Sequence, residues 1–271
     1  MTAVAETGVA RIAAAFAAAP GRAALMPYLM GGFPDAEGSI AIGEACADAG
    51  ADLVELGVPF SDPLADGPVI HAAGTRALAA GATLHGILQV AARLAERLPV
   101  VLMCYANPLL ARGVERFAGE LAAAGASGLI VPDLPLEEAG AVRAALDAAG
   151  LALVPLIAPT TPDERLAAIA GGARGFLYTV SVTGTTGERP GVDGSLASVL
   201  ARAKAHSPVP VAVGFGISTP EQAAGAAAAG ADGVIVGSRL VRAATEAVDA
   251  GGDAAAAVGE AVAALARALH R

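Results

Sequence analysis

The chain has no tryptophan and a single lysine, Lys204, and its 271 residues include only two cysteines and three tyrosines. Each shortage excludes something. Cys46 falls in an alanine-rich helical stretch and Cys104 behind an apolar run, with no pairing motif or metal-ligand spacing around either, which points to free thiols in a reducing compartment. Basic residues are outnumbered 17 to 26, for a net charge of -9 and a pI near 4.9. The clustered Lys and Arg that give affinity for phosphate polymers are missing, so nucleic acid is not an expected partner. Charges, Gly and Pro cut every apolar stretch short of the roughly 18 residues a spanning helix needs, and no membrane crossing is expected. The stretch Ile12 to Pro20 imitates a signal-peptide core, but Glu6 precedes it where a basic region should stand, so it reads as a surface helix at about 7–19. A cytoplasmic location follows as the expectation.

What the chain has in quantity is alanine, which dominates its 55% hydrophobic content and favours closely packed helices. Short apolar, β-prone runs alternate with longer segments of helical period, the pattern of a parallel sheet with crossover helices. Eight such runs occur: Leu25 to Met30, Leu53 to Leu56, Val100 to Cys104, Gly128 to Val131, Ala152 to Ile157, Gly175 to Val180, Val209 to Val213, and Gly233 to Val236. Related phrases introduce the second, fourth, sixth and eighth: Gly50-Ala51-Asp52, Gly125-Ala126-Ser127, Gly171-Gly172-Ala173 and Gly230-Ala231-Asp232. A repeated two-strand unit of this kind suits an α/β fold closed into a single-domain (β/α)8 TIM barrel over residues 1–271. An open doubly wound sheet is the alternative, and no early GxGxxG turn supports it.

In a barrel the active site is built by the loops after the strands. The longest are at about 57–69 and 183–194, and the second, rich in Gly and Thr, has the composition of a lid. A merely disordered connection is the competing reading there. Glycine turns at Gly184 to Gly187, at Gly214 to Gly216, and at Gly237 with Ser238 follow the sixth, seventh and eighth strands, the usual place of a barrel phosphate site. Glu55, inside the apolar phrase LVELG, is costly to bury unless paired, protonated or useful, and suits general acid–base work. Asp62 and Asp66 follow in SDPLADGP, where Asp before Pro or Gly is also ordinary turn chemistry.

Lys204 lies before the seventh strand, not at a strand's C-terminal end, which disfavours a Schiff-base aldolase. His71, His85, His206 and His270 are scattered without ligand spacing, so no metal site is expected. His71 closes the loop after the second strand and is the one placed to border a pocket. Cofactor-free acid–base catalysis on a small phosphate ester remains.

The segment ELGVPFSDPLADGP, Glu55 to Pro68, resembles the signature of the tryptophan synthase alpha subunit family. The resemblance continues through YANP at Tyr105 to Pro108, VPDLPLEE at Val131 to Glu138, YTVSVTGTTG at Tyr178 to Gly187, GFGIS at Gly214 to Ser218 and GVIVGS at Gly233 to Ser238, in the family's order. It implies a lyase of tryptophan biosynthesis that cleaves indole-3-glycerol phosphate to indole and glyceraldehyde 3-phosphate by a cofactor-free retro-aldol reaction. By the same resemblance Glu55 and Asp66 are the catalytic residues, Glu55 moving protons and Asp66 accepting the indole N–H. Tyr178 lies beside the glycerol arm and Tyr105 lines the indole pocket. Gly187, Gly216, Gly237 and Ser238 hold the phosphate, Thr186 is the lid residue that closes onto Asp66, and Asp62 and Pro63 face the partner. That partner is a pyridoxal-phosphate beta subunit in an alpha2-beta2 heterotetramer, the cofactor lying on the beta subunit alone. Departures fall at Met30, which ends the first strand, and in the glycine-rich turn after it, and at His71, where many relatives have Gln. The alternatives are a catalytically silent barrel that activates the beta subunit, and another phosphate-ester isomerase or lyase barrel.

Overall fold

The computed structural model describes residues 6–180, 195–214 and 216–269. Its strands are β1 (Ala24–Met30), β2 (Val54–Gly57), β3 (Val100–Met103), β4 (Gly128–Ile130), β5 (Ala152–Val154), β6 (Leu156–Ile157), β7 (Leu177–Val180), β8 (Val211–Gly214) and β9 (Gly233–Val236). Its helices are α1 (Gly8–Ala17), α2 (Ala36–Asp48), α3 (Pro68–Ala79), α4 (Leu84–Ala95), α5 (Ala106–Arg112), α6 (Val114–Ala123), α7 (Gly140–Ala148), α8 (Asp163–Gly171), α9 (Ser195–His206), α10 (Pro220–Ala228), α11 (Ser238–Asp249) and α12 (Ala254–Leu269).

All pairings are parallel, in the order β5-β4-β3-β2-β1-β9-β8-β7-β6. Only Pro155 separates β5 from β6, so the two ends of that order are one strand and the sheet closes on itself. Proline has no N–H for a ladder, and there the strand changes neighbours: Ala152 pairs with Gly128 on one side, Leu156 with Tyr178 on the other. The barrel thus has the eight strands expected, the fifth being β5 plus β6. Two strand starts differ from expectation. Gly175, at φ 73°, turns the chain, so the sixth strand starts at Leu177; Pro208 and Pro210 delay the seventh to Val211.

Three of the four repeated phrases share a task. Gly50, Gly125 and Gly230 take φ between 69° and 103°, a conformation that ends the preceding helix and costs a Cβ-bearing residue strain. Asp52 then accepts the Leu25 N–H of the neighbouring strand at 2.7 Å and both guanidinium arms of Arg22. Asp232 accepts the Val211 N–H at 2.8 Å and the Lys204 ammonium at 2.7 Å. Each aspartate staples two strands at their N-terminal ends. At the second phrase Ser127 replaces the carboxylate, and its buried hydroxyl has no partner.

Helix α1 covers this end of the barrel. Gly8 lies so close to the Ser127 backbone that a Cβ would collide with it. The Arg11 guanidinium donates to the carbonyls of Ala95, Leu98 and Gly125 at 2.6, 3.1 and 2.8 Å, capping the C-terminal ends of α4 and α6 together. Among the described residues no single helix is long and apolar enough to cross a membrane.

Candidate active site

Strand β2 reads Val54-Glu55-Leu56-Gly57, and all four residues are buried. Tyr28 on β1 is the register partner of Glu55, and partners in a parallel ladder project to the same face. Glu55 is 1% exposed, and neither carboxyl oxygen has a hydrogen-bond partner. Loss of solvation, reinforced by the charge of Asp66, pushes its acid up to about 8. At neutral pH it therefore holds its proton.

The carboxyl borders a cavity at the C-terminal mouth of the barrel. Ile70, Met103, Pro132, Ile217 and Ile235 give it apolar walls, while Tyr28, Glu55, Asp66 and Tyr178 bring polar groups to one part of it. Gly216, Gly237 and Ser238 lie across from them. An apolar body with one polar end matches such a lining.

Asp66 sits in the loop between β2 and α3. The Tyr105 hydroxyl donates to its Oδ1 at 2.9 Å and accepts the Ala65 N–H at 3.0 Å, which pins the loop to the end of β3. Burial holds the Asp66 acid above its ordinary value, and the Tyr105 hydrogen bond and the nearby His71 offset part of that rise. Tyr105 is buried, with the Phe60 ring centroid 5.4 Å from its own, and stands behind Asp66 instead of on the cavity wall. Tyr178 is on the wall, 3% exposed, its hydroxyl over the Cα of Gly214, where any side chain would collide. Tyr28 makes the mirror arrangement over Gly57. Sequence reasoning passed over Tyr28, although all three of the chain's tyrosines gather here and each belongs to an apolar strand phrase or follows one directly.

The opposite side is made of backbone. Gly216 takes φ 89°, and Gly237 precedes α11. The start of α10 is closed by a capping box between Thr219 and Gln222. The start of α11 has no side-chain cap, so its first N–H groups, the Ser238 hydroxyl and the positive end of the helix dipole are available to an anion.

Thr186, Gly187 and the rest of the expected lid at 183–194 lie outside the described residues. Asp62 is exposed, accepting the Ser61 hydroxyl at 2.5 Å, with Pro63 beside it; Leu64 next to them is 78% exposed and Leu110 is 58% exposed. Lys204 is held by Asp232 at the far end of the barrel. His71, His85 and His206 are exposed, His71 on the first turn of α3 and off the cavity wall. Met30 packs towards Gly74, also off the wall. Both cysteines are buried, their thiols pushed up to about 12 by desolvation.

A closed barrel with a protonated carboxyl group in its mouth, an uncapped helix start across from it and its one lysine engaged at the other end defines a barrel suited to acid–base catalysis on an anionic substrate. Residues 15–270 match the family described as tryptophan synthase alpha chain. The tryptophan synthase alpha chain of Prochlorococcus marinus is 54% identical over 83% of this chain and 82% of its own length, and that of Gloeobacter violaceus 50% identical over 89% and 88%. Among solved structures, a tryptophan synthase of Mycobacterium tuberculosis superposes with a TM-score of 0.89 at 39% identity, covering 96% of this chain and 98% of that one. The alpha chain from Legionella pneumophila gives 0.86 at 36% identity, covering 96% and 97%. The chain belongs to the tryptophan synthase alpha chain family, lyases that cleave indole-3-glycerol phosphate.

Proposed function

We propose that this chain releases indole and glyceraldehyde 3-phosphate with Glu55 and Asp66 as its catalytic residues. The observation that carries the assignment is the buried, unpartnered carboxyl of Glu55 on the cavity wall, protonated at neutral pH. A neutral acid can give its proton to C3 of the indole ring while the ionised Asp66 accepts the ring N–H and stabilises the positive charge that develops. The resulting Glu55 carboxylate then takes the proton of the hydroxyl on the carbon attached to C3. The carbon–carbon bond breaks, its electron pair returns to the ring, the arm leaves as an aldehyde, and Glu55 ends as it began.

Tyr105 fixes the direction of Asp66 at the indole end of the cavity, and Tyr178 lies along the glycerol arm. The phosphate is held by Gly216, Gly237 and Ser238 at the uncapped start of α11, with Gly187 completing the site and Thr186 closing the lid. The chain carries no cofactor of its own. Pyridoxal phosphate belongs on the beta subunit, since this chain's only lysine, the residue type that would form the aldimine, is held by Asp232 at the far end of the barrel. Asp62 and Pro63, beside the exposed Leu64, supply contacts to that subunit in an alpha2-beta2 complex that works in the cytoplasm, and the whole chain acts as one barrel domain.

The test is indole release from indole-3-glycerol phosphate by the purified chain, with and without a beta subunit. Turnover that rises with the partner is expected. Activation of the beta subunit with no cleavage would instead mark a silent barrel.

A further inference from the structure

Tyr28 is 7% exposed, stands in register with Glu55 and forms part of the cavity wall. Its ring has a definite course. Its Cβ lies 3.5 Å from where a Cβ on Gly237 would be, on the anion side, and its hydroxyl lies over the Cα of Gly57, on the carboxylate side. The ring therefore runs from the proposed phosphate position towards the Glu55 strand, the interval a substrate's three-carbon arm must cross. Gly57 is needed for this course, because any side chain there would occupy the place of the hydroxyl.

Among the described residues no hydrogen bond engages the Tyr28 hydroxyl, whereas the Tyr105 hydroxyl is committed to Asp66 and Ala65. Burial and the charges of Asp66, Glu55 and Tyr105 hold the Tyr28 phenol well above its ordinary value, so it remains a neutral donor and acceptor. When an aromatic phosphate fills the cavity and expels water, a buried hydroxyl left without a partner is costly. The ring N–H faces Asp66 and the phosphate faces α11, which leaves the arm's own hydroxyls as partners.

We infer that Tyr28 is a positioning residue, its hydroxyl hydrogen-bonding a hydroxyl of the substrate's polyol arm and turning the arm towards Glu55. The inference rests on the function proposed above and goes beyond it by assigning recognition of the arm's hydroxyls, as distinct from its phosphate. Tyr28→Phe keeps the ring and its packing and removes only the hydrogen bond. Its kcat/KM for indole-3-glycerol phosphate should fall about tenfold. The Kd for indole-3-propanol phosphate, which has the same ring and phosphate on an arm without hydroxyls, should stay within about twofold of the native value by calorimetry. Equal losses on both ligands would make Tyr28 a packing residue and overturn the inference, as would no loss on the substrate. A native chain that releases no indole overturns the function itself, whereas an active native chain with an unselective variant overturns only the part given to Tyr28.

Discussion

The two ends of this barrel treat charge in opposite ways. At the N-terminal end Arg22 is doubly bonded to Asp52, Lys204 is paired with Asp232, and Arg11 is spread over three carbonyls. At the C-terminal end Glu55 is more deeply buried than any of these and has no partner. Charges at the first end are satisfied and hold strands and helices in register. The carboxyl at the second keeps an unmet demand that a substrate can answer, at a cost in stability. Similar carboxylates thus become structural or reactive according to what lies within 3 Å of them.

The largest effect should come from removing the reactive one. Glu55→Gln keeps the shape but cannot exchange protons, and indole release should fall by about a thousandfold or more. The same variant sharpens the comparison through stability. The Glu55 acid lies at about 8 in the fold against an ordinary 4.5. A raised carboxyl favours the folded state fully below about pH 4.5, and that advantage is lost as pH rises through about 8. Glu55→Gln should therefore be more stable than the native chain at pH 8 in urea unfolding, and the excess should vanish towards pH 4.5. An equal difference at both pH values would show that burial does not set the acidity of Glu55.

The paired end should respond in the opposite sense. Asp52→Ala leaves Arg22 and the Leu25 N–H without their acceptor, and should cost about 2–3 kcal/mol of unfolding free energy with kcat little changed. A loss of kcat without a loss of stability would erase the contrast between the ends. Ser238→Ala should raise KM by about three- to tenfold, the worth of one ordinary hydrogen bond, and leave kcat near native. Tyr105→Phe should have the smallest effect. Its hydrogen bond favours the ionised form of Asp66, so its removal should move the acidic limb of the kcat/KM profile to higher pH by less than about 1 unit. A shift to lower pH would mean that Tyr105 does not hold Asp66 in its ionised form.

The architecture was legible because apolar runs and helical segments alternate without interruption, and Glu55 was legible because a charge inside LVELG breaks that pattern. The rest depends on contacts between distant parts of the chain. Tyr28 sits in ALMPYLM, which reads as core, and only the register of β1 on β2 sets it beside Glu55. Tyr105 and Asp66 are 39 residues apart, so neither shows in sequence that it holds the other. The glycine phrases read as punctuation, while the stapling by Asp52 and Asp232 appears only with the strands in place. Of the three glycine turns, capping chemistry separates the starts of α10 and α11: Thr219 and Gln222 close the first, and the second has no side-chain cap.

In the proposed mechanism a buried, protonated Glu55 starts the reaction while an ionised Asp66 receives the indole N–H. The pH dependence of kcat/KM for indole release tests it most directly, because that profile reports the ionisations of the free enzyme. A fall is expected as pH rises through about 8, as Glu55 loses its proton. A rate that stays level or climbs through that range would contradict it.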